Sequence, residues 1–173
     1  PKTLKYAFFP GCSLESTARA FDLSTRAVCR ALGIVLEEIP DWTCCGSTPA
    51  HATNDSLAIA LPALNLQKAQ AAGLPVMVAC ASCYARLRTT NHRVCNEPED
   101  RRRTERITGM PYDGGVEVRH VLDVLVNHLG LDEIRAKDHG QLAVSAEDGR
   151  FLRLMTAATG ATPTYAIILI ASA

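Results

Sequence analysis

The sequence carries no surplus charge of either sign, since 18 Lys and Arg balance 18 Asp and Glu. A nucleic-acid binder usually shows a basic excess, and none is present. There is no run of 18 apolar residues, so no segment has the length of a membrane-spanning helix. The stretch from Pro1 to Phe9 lacks the charged-then-apolar build of a secretory signal, and a cytoplasmic location is expected. No G-x-G-x-x-G follows an expected strand, which removes the common dinucleotide fingerprint. What stands out instead is sulfur: seven cysteines in 173 residues. An odd number of cysteines in such a chain argues against a disulfide scaffold and for metal binding or redox chemistry.

The apolar pattern alternates between two periods. Lys5 to Phe9 reads as a strand, ended by Pro10-Gly11. Ser16 to Leu32 repeats at helical spacing through Phe21, Val28 and Leu32, and stops at Gly33. Ile34 to Ile39 is a second strand. Asp55 to Ala72 is a second helix, disturbed by Pro62. Val76 to Ala79 is a short apolar run of the kind buried on both faces of a sheet, and Cys83 to Val94 follows as a helix. Strands alternating with helices predict an α/β fold: a small parallel sheet with flanking helices and right-handed crossovers.

The second half is less regular. The mixed-charge run Glu97 to Arg106 is expected as a solvated loop or helix face. Val118 to Leu129 aligns Val121, Leu125 and Leu129 as one more amphipathic helix. The pattern dissolves after about Lys137. Residues 1–135 are therefore expected as the domain and 136–173 as a poorly defined extension, whose apolar end, Tyr165 to Ala173, is too short to span a bilayer.

Five cysteines form an ordered set: Cys12, the adjacent pair Cys44 and Cys45 followed by Gly46, and Cys80 with Cys83. Thirty-one residues separate Cys12 from Cys44, and 34 separate Cys45 from Cys80. Each group follows an expected strand, so all should meet at the carboxyl edge of the sheet, where open α/β sheets bind ligands. Cys83 near a helix start is favoured as thiolate. Gly11 and Gly46 let backbone approach an inorganic core closely. Tetrahedral zinc needs four ligands, and adjacent cysteines point apart in extended chain, so an iron–sulfur cluster suits five thiols better. Zinc and disulfide arrangements stay open as the plainer alternatives.

The segments FFPGCS (Phe8–Ser13), DWTCCGS (Asp41–Ser47) and ACASCYARL (Ala79–Leu87) resemble one cysteine-rich CCG domain of the heterodisulfide reductase B-subunit family. VRHVLDVL (Val118–Leu125) reads as a continuation of it. The resemblance implies a non-cubane 4Fe-4S cluster that handles electrons at a disulfide substrate, with Cys12, Cys44, Cys45, Cys80 and Cys83 as candidate ligands. It further implies a ferredoxin-like iron–sulfur subunit and a flavin subunit as partners. Family members carry two such domains, whereas this sequence shows a single CCG. A fragment or truncated form, or a second CCG-containing chain, is the expected explanation. Related domains also serve lactate-, glycolate- and succinate-oxidising complexes, so an electron-relay subunit is an alternative, and a zinc-binding structural module is another.

The other candidates have plain readings. Cys29 lies on the apolar side of its helix and is expected in the core. Cys95 is expected as an idle thiol. His51, His92 and His120 are expected as ordinary histidines, with His51 near enough to reach a pocket rim. Trp42 and Tyr84 flank the cysteines, where they either shield a cluster from water or simply pack.

Overall fold

The structure, a computed structural model, describes residues 4–47 and 49–137, apart from the side chains of Pro49, His51 and Arg135. The expectations for 138–173 lie outside the described residues. Four strands, β1 (Leu4–Phe9), β2 (Ile34–Glu38), β3 (Val76–Val78) and β4 (Val118–His120), form one sheet in the order β2-β1-β3-β4. Every pairing is parallel, with Leu4 opposite Ile34, Ala7 opposite Val76, and Val76 opposite Val118. The fold is α/β with helices flanking a small parallel sheet, as the alternating periods predict.

The helices are α1 (Gly11–Glu15), α2 (Arg19–Ala31), α3 (Pro49–Thr53), α4 (Asp55–Ala72), α5 (Ala81–Asn96), α6 (Pro98–Thr108), α7 (Val121–Asp123) and α8 (Leu131–Lys137). A π-helical stretch, Val124–Gly130, joins the last two. Side chains alternate across β1, so the sheet divides the core into two layers. Tyr6 and Phe8 pack with Cys29, Leu32, Met77, Val121 and Val124 on one side. Ala7 and Phe9 pack with Ile59, Leu66, Val78 and Leu87 on the other. Phe8 and Phe9 are both fully buried, which is why Lys5–Phe9 reads as a continuous rather than alternating apolar run.

Two expectations need correction. The single helix expected over Ser16–Leu32 begins only at Arg19, after the separate turn α1 that carries Cys12. Of the two readings for Glu97–Arg106 the helix face holds: Pro98–Arg106 make up most of α6, tied down by Arg93 to Asp100 at 2.7 Å and Arg103 to Asp55 at 2.8 Å. Val118–Leu129 is not one helix. Its first three residues are β4, and the His120 side chain then accepts a hydrogen bond from the Leu122 N–H, capping α7 at that point. Pro62 lies inside α4, which runs on through it. Proline removes the N–H that would bond the Ala58 carbonyl, and the Arg86 guanidinium of α5 donates to that carbonyl at 2.7 Å instead. Among the described residues, no helix is long and apolar enough to cross a membrane.

Candidate metal centre

Parallel strands place their carboxyl ends on one edge, and the cysteine-bearing segments all leave from there. Cys12 follows β1 within α1, Cys44 and Cys45 lie on the loop after β2, and Cys80 and Cys83 lie at the start of α5 after β3. The Cys12 and Cys44 sulfurs approach to 3.8 Å, and both residues are exposed. The Cys45 and Cys83 sulfurs approach to 3.3 Å, and both are buried. Cys80 is half-buried beside them, and all five thiols are unbridged. Adjacent Cys44 and Cys45 thus face different surroundings, as extended chain requires.

The sulfurs differ in their readiness to lose a proton. Hydrogen bonding from the Cys83 thiol pulls Cys80 down to about 5, helped by the Cys83 and Ser82 amides at the start of α5. The same thiol draws Cys45 down to about 7 against the cost of burial. Cys83, serving both neighbours, is raised. Burial also raises Cys44. Among the described residues, no group of three or more His, Cys, Asp and Glu closes around one point to hold a single ion.

Two glycines are demanded by crowding. Gly11 sits at φ +75°, and a Cβ there would lie 2.9 Å from the Cys83 sulfur. Gly46, at φ +69°, would bring a Cβ to 3.0 Å from both Ala50 and Leu61. The loop before Cys44 is held by Asn65, a residue the sequence pattern hides within an apolar helix face. Fully buried, Asn65 accepts the Thr43 N–H at 2.9 Å and donates to the Thr43 carbonyl at 2.9 Å. Its amide also donates to the Leu61 carbonyl at 3.2 Å. A polar side chain at that depth is a signal in hindsight, because buried Asn needs a backbone to bind.

Trp42 packs edge-on against Phe9 with ring centres 5.5 Å apart, and its indole donates to Glu38. Tyr84 stands edge-on to His120 at 5.7 Å. The His120 Nε2 lies 3.0 Å from the Ala79 carbonyl and its Nδ1 accepts from Leu122, so both ring nitrogens are engaged and burial keeps its pKa low. His120 therefore braces the residue before Cys80, a role its sequence position does not suggest. Cys29 is fully buried in the opposite layer of the core, where burial pushes its thiol up to about 12. Cys95 and His92 are exposed, while the His51 side chain lies outside the described residues.

Comparison with known proteins agrees with this arrangement of cysteines. Residues 6–88 match the model of the cysteine-rich domain named CCG, and these residues hold all five edge cysteines. Residues 6–88 belong to the CCG cysteine-rich family. A protein of Archaeoglobus profundus, itself named as like the B-subunit of heterodisulfide reductase, is 32% identical over 76% of this chain and 46% of its own length. The membrane anchor subunit of an 8-methylmenaquinol:fumarate reductase from Wolinella succinogenes is 32% identical over 77% of this chain and 46% of its own. The B-subunit of a Ferredoxin/F(420)H(2)-dependent CoB-CoM heterodisulfide reductase from Methanosarcina acetivorans is 25% identical over 76% and 45%. The chain spans about half the length of the curated relatives it matches. Its CCG domain is thus kin to subunits of oxidoreductase complexes.

Proposed function

We propose that this chain is the iron–sulfur subunit of an oxidoreductase complex resembling heterodisulfide reductase, and that it passes electrons to a disulfide or thiol substrate. The observation that carries the reading is the gathering of five unbridged cysteines, Cys12, Cys44, Cys45, Cys80 and Cys83, at one sheet edge. The donor set fits a 4Fe-4S cluster of non-cubane type. It is all thiol, it exceeds the four ligands of a cubane or a zinc site, and Gly11 leaves beside Cys83 the space a Cβ would close. When bound, the cluster would supply one-electron chemistry at sulfur.

The remaining work falls to side chains of this chain. Cys45 and Cys83 would anchor the buried side, and Cys12 and Cys44 the exposed side, where a substrate or partner arrives. Trp42 and Tyr84 would limit water at the rim, and His120 would hold the Ala79–Cys80 backbone in place. The same reading makes 1–135 the cluster-bearing unit and 136–173 an extension, in the cytoplasm. Electrons would come from a ferredoxin-like iron–sulfur subunit and a flavin subunit, with a second CCG-containing chain or segment completing the substrate site. A second reading, an electron relay within a dehydrogenase-type complex, is favoured by the kinship to a fumarate reductase anchor subunit.

Anaerobic purification followed by iron and sulfide analysis tests the cluster. About four of each per chain, with broad absorbance near roughly 400 nm, is the expected result. One zinc per chain and no sulfide would overturn it. A change in the cluster's electron paramagnetic signal on adding thiol separates the substrate-handling reading from the relay.

A further inference from the structure

The sheet has two outer strands, and they are finished differently. β4 carries Arg119, paired with Asp123 at 2.6 Å, and His120, bound to the Ala79 carbonyl. β2 opens on Ile34, Val35 and Leu36, with none of the lysines, prolines or bulges that ordinarily blunt an edge. Val35 is 40% exposed, and a groove of about 320 Å³ runs beside the strand, lined by Arg26, Arg30, Gly33, Ile34, Val35 and Leu36. The Ile39 N–H donates to the Phe8 carbonyl of β1 at 3.0 Å. Backbone groups alternate in direction along a strand, so Val35 and Glu37 also face β1. Ile34, Leu36 and Glu38 then turn their N–H and C=O groups away from it. Among the described residues none of these outward groups has a partner.

Charge is ordered along the same edge. Arg30, exposed and without an ion pair among the described residues, lies just ahead of β2, while Glu37 and Glu38 lie at its end. A copy running the other way presents the complementary order. We propose that β2 pairs antiparallel with β2 of a second copy of this chain, about a two-fold axis at Leu36. With Leu36 opposite Leu36 and Ile34 opposite Glu38, all three outward residues are used, and a shift to either side uses fewer. Arg30 and Ile34 line one groove, so the Glu38 placed opposite Ile34 arrives in the groove with Arg30. Glu37 falls opposite Val35 rather than another carboxylate, and keeps its own Lys5 at 2.8 Å. The two copies run in opposite directions, so their cysteine edges point apart. The pairing goes beyond the function proposed above and does not rest on it.

Sedimentation equilibrium of the full chain under reductant, with amide hydrogen exchange on the same samples, tests the pairing. The mass should rise from one chain toward two between about 5 µM and about 500 µM, as a small transient interface allows. Over that range protection of the Leu36 amide should grow at least about three-fold, while Val35 and Glu37, already bonded to β1, stay constant. Arg30→Glu should weaken the dimer at least about five-fold. Its urea midpoint at low concentration should stay near wild type, since Arg30 is exposed. A mass fixed at one chain throughout would overturn the inference. So would a dimer that leaves Leu36 exchange unchanged, or one that Arg30→Glu does not weaken. Full protection of Leu36 in the one-chain form would overturn it too, because another part of the chain would then occupy the edge.

Discussion

The side chain that most directly controls the cysteine loop is not a cysteine. Asn65 grips both backbone polar groups of Thr43, one residue ahead of Cys44, much as a neighbouring strand would. Replacing it by Leu leaves the Thr43 N–H and C=O without their partner and should cost about 2–4 kcal/mol in urea unfolding. The loop before Cys44 should then lose its fixed path, and iron retained through gel filtration should fall below wild type. Iron retention equal to wild type would show that the two thiols alone fix the loop. The five cysteines were legible because their chemistry is rare and their order is regular. Asn65 was not, because in α4 it sits among Leu61, Leu64 and Leu66, where the apolar period suggests only core.

At the level of elements, legibility followed the strength of the local stop signals. Pro10 follows β1 directly and Pro40 follows β2 within two residues, Gly33 and Gly73 follow α2 and α4 within two residues, and the local pattern places each element to within a few residues. The apolar pattern merges β4 into a helix because Val118, Val121, Leu125 and Leu129 keep a helical interval across the break. Only pairing with Val76 and the His120 cap divide them, and neither is a local feature. The helix α4 shows the same dependence on distant partners. Its Pro62 orphans the Ala58 carbonyl, and Arg86 satisfies it from α5. Arg86→Met should therefore destabilise the chain by about 1–2 kcal/mol, read as a lower urea midpoint with unchanged slope. The start of α4 carries an electrostatic contribution as well. Hydrogen bonds from Arg93 and Arg103 hold the exposed Asp55 carboxyl below the usual carboxylate range. A depressed folded pKa gives stability that is complete above the unfolded value and is lost as pH falls through the folded one. For a group this exposed the contribution should stay under about 1 kcal/mol. Asp55→Asn should lower stability slightly at pH 6 and make no difference near pH 2, which paired urea curves would read.

For the molecule as a whole, sheet direction decides the function proposed. Because every strand pair is parallel, three loops distant in sequence leave from one edge, and the cysteines converge without any long connection. That convergence could be argued from the alternation of periods alone, whereas the clasp of Asn65 on Thr43 could not, since it exists only where α4 passes the loop after β2. A centre assembled from three loops has a thermodynamic consequence. The two core layers hold the helices by apolar burial, and Cys45 and Cys83 join one of them, whereas Cys12 and Cys44 lie exposed at the edge, where a bound group would complete the order of the loops. Binding free energy at such a site is partly folding free energy of the loops. Chelation of the loaded chain should therefore strip hydrogen-exchange protection from Gly46 and Ser82 first. The buried face of α4 and the middle of α5, around Leu66 and Leu87, should keep theirs. Equal protection of Gly46 and Ser82 before and after metal removal would mean that Asn65, Gly11 and His120 preform the centre on their own.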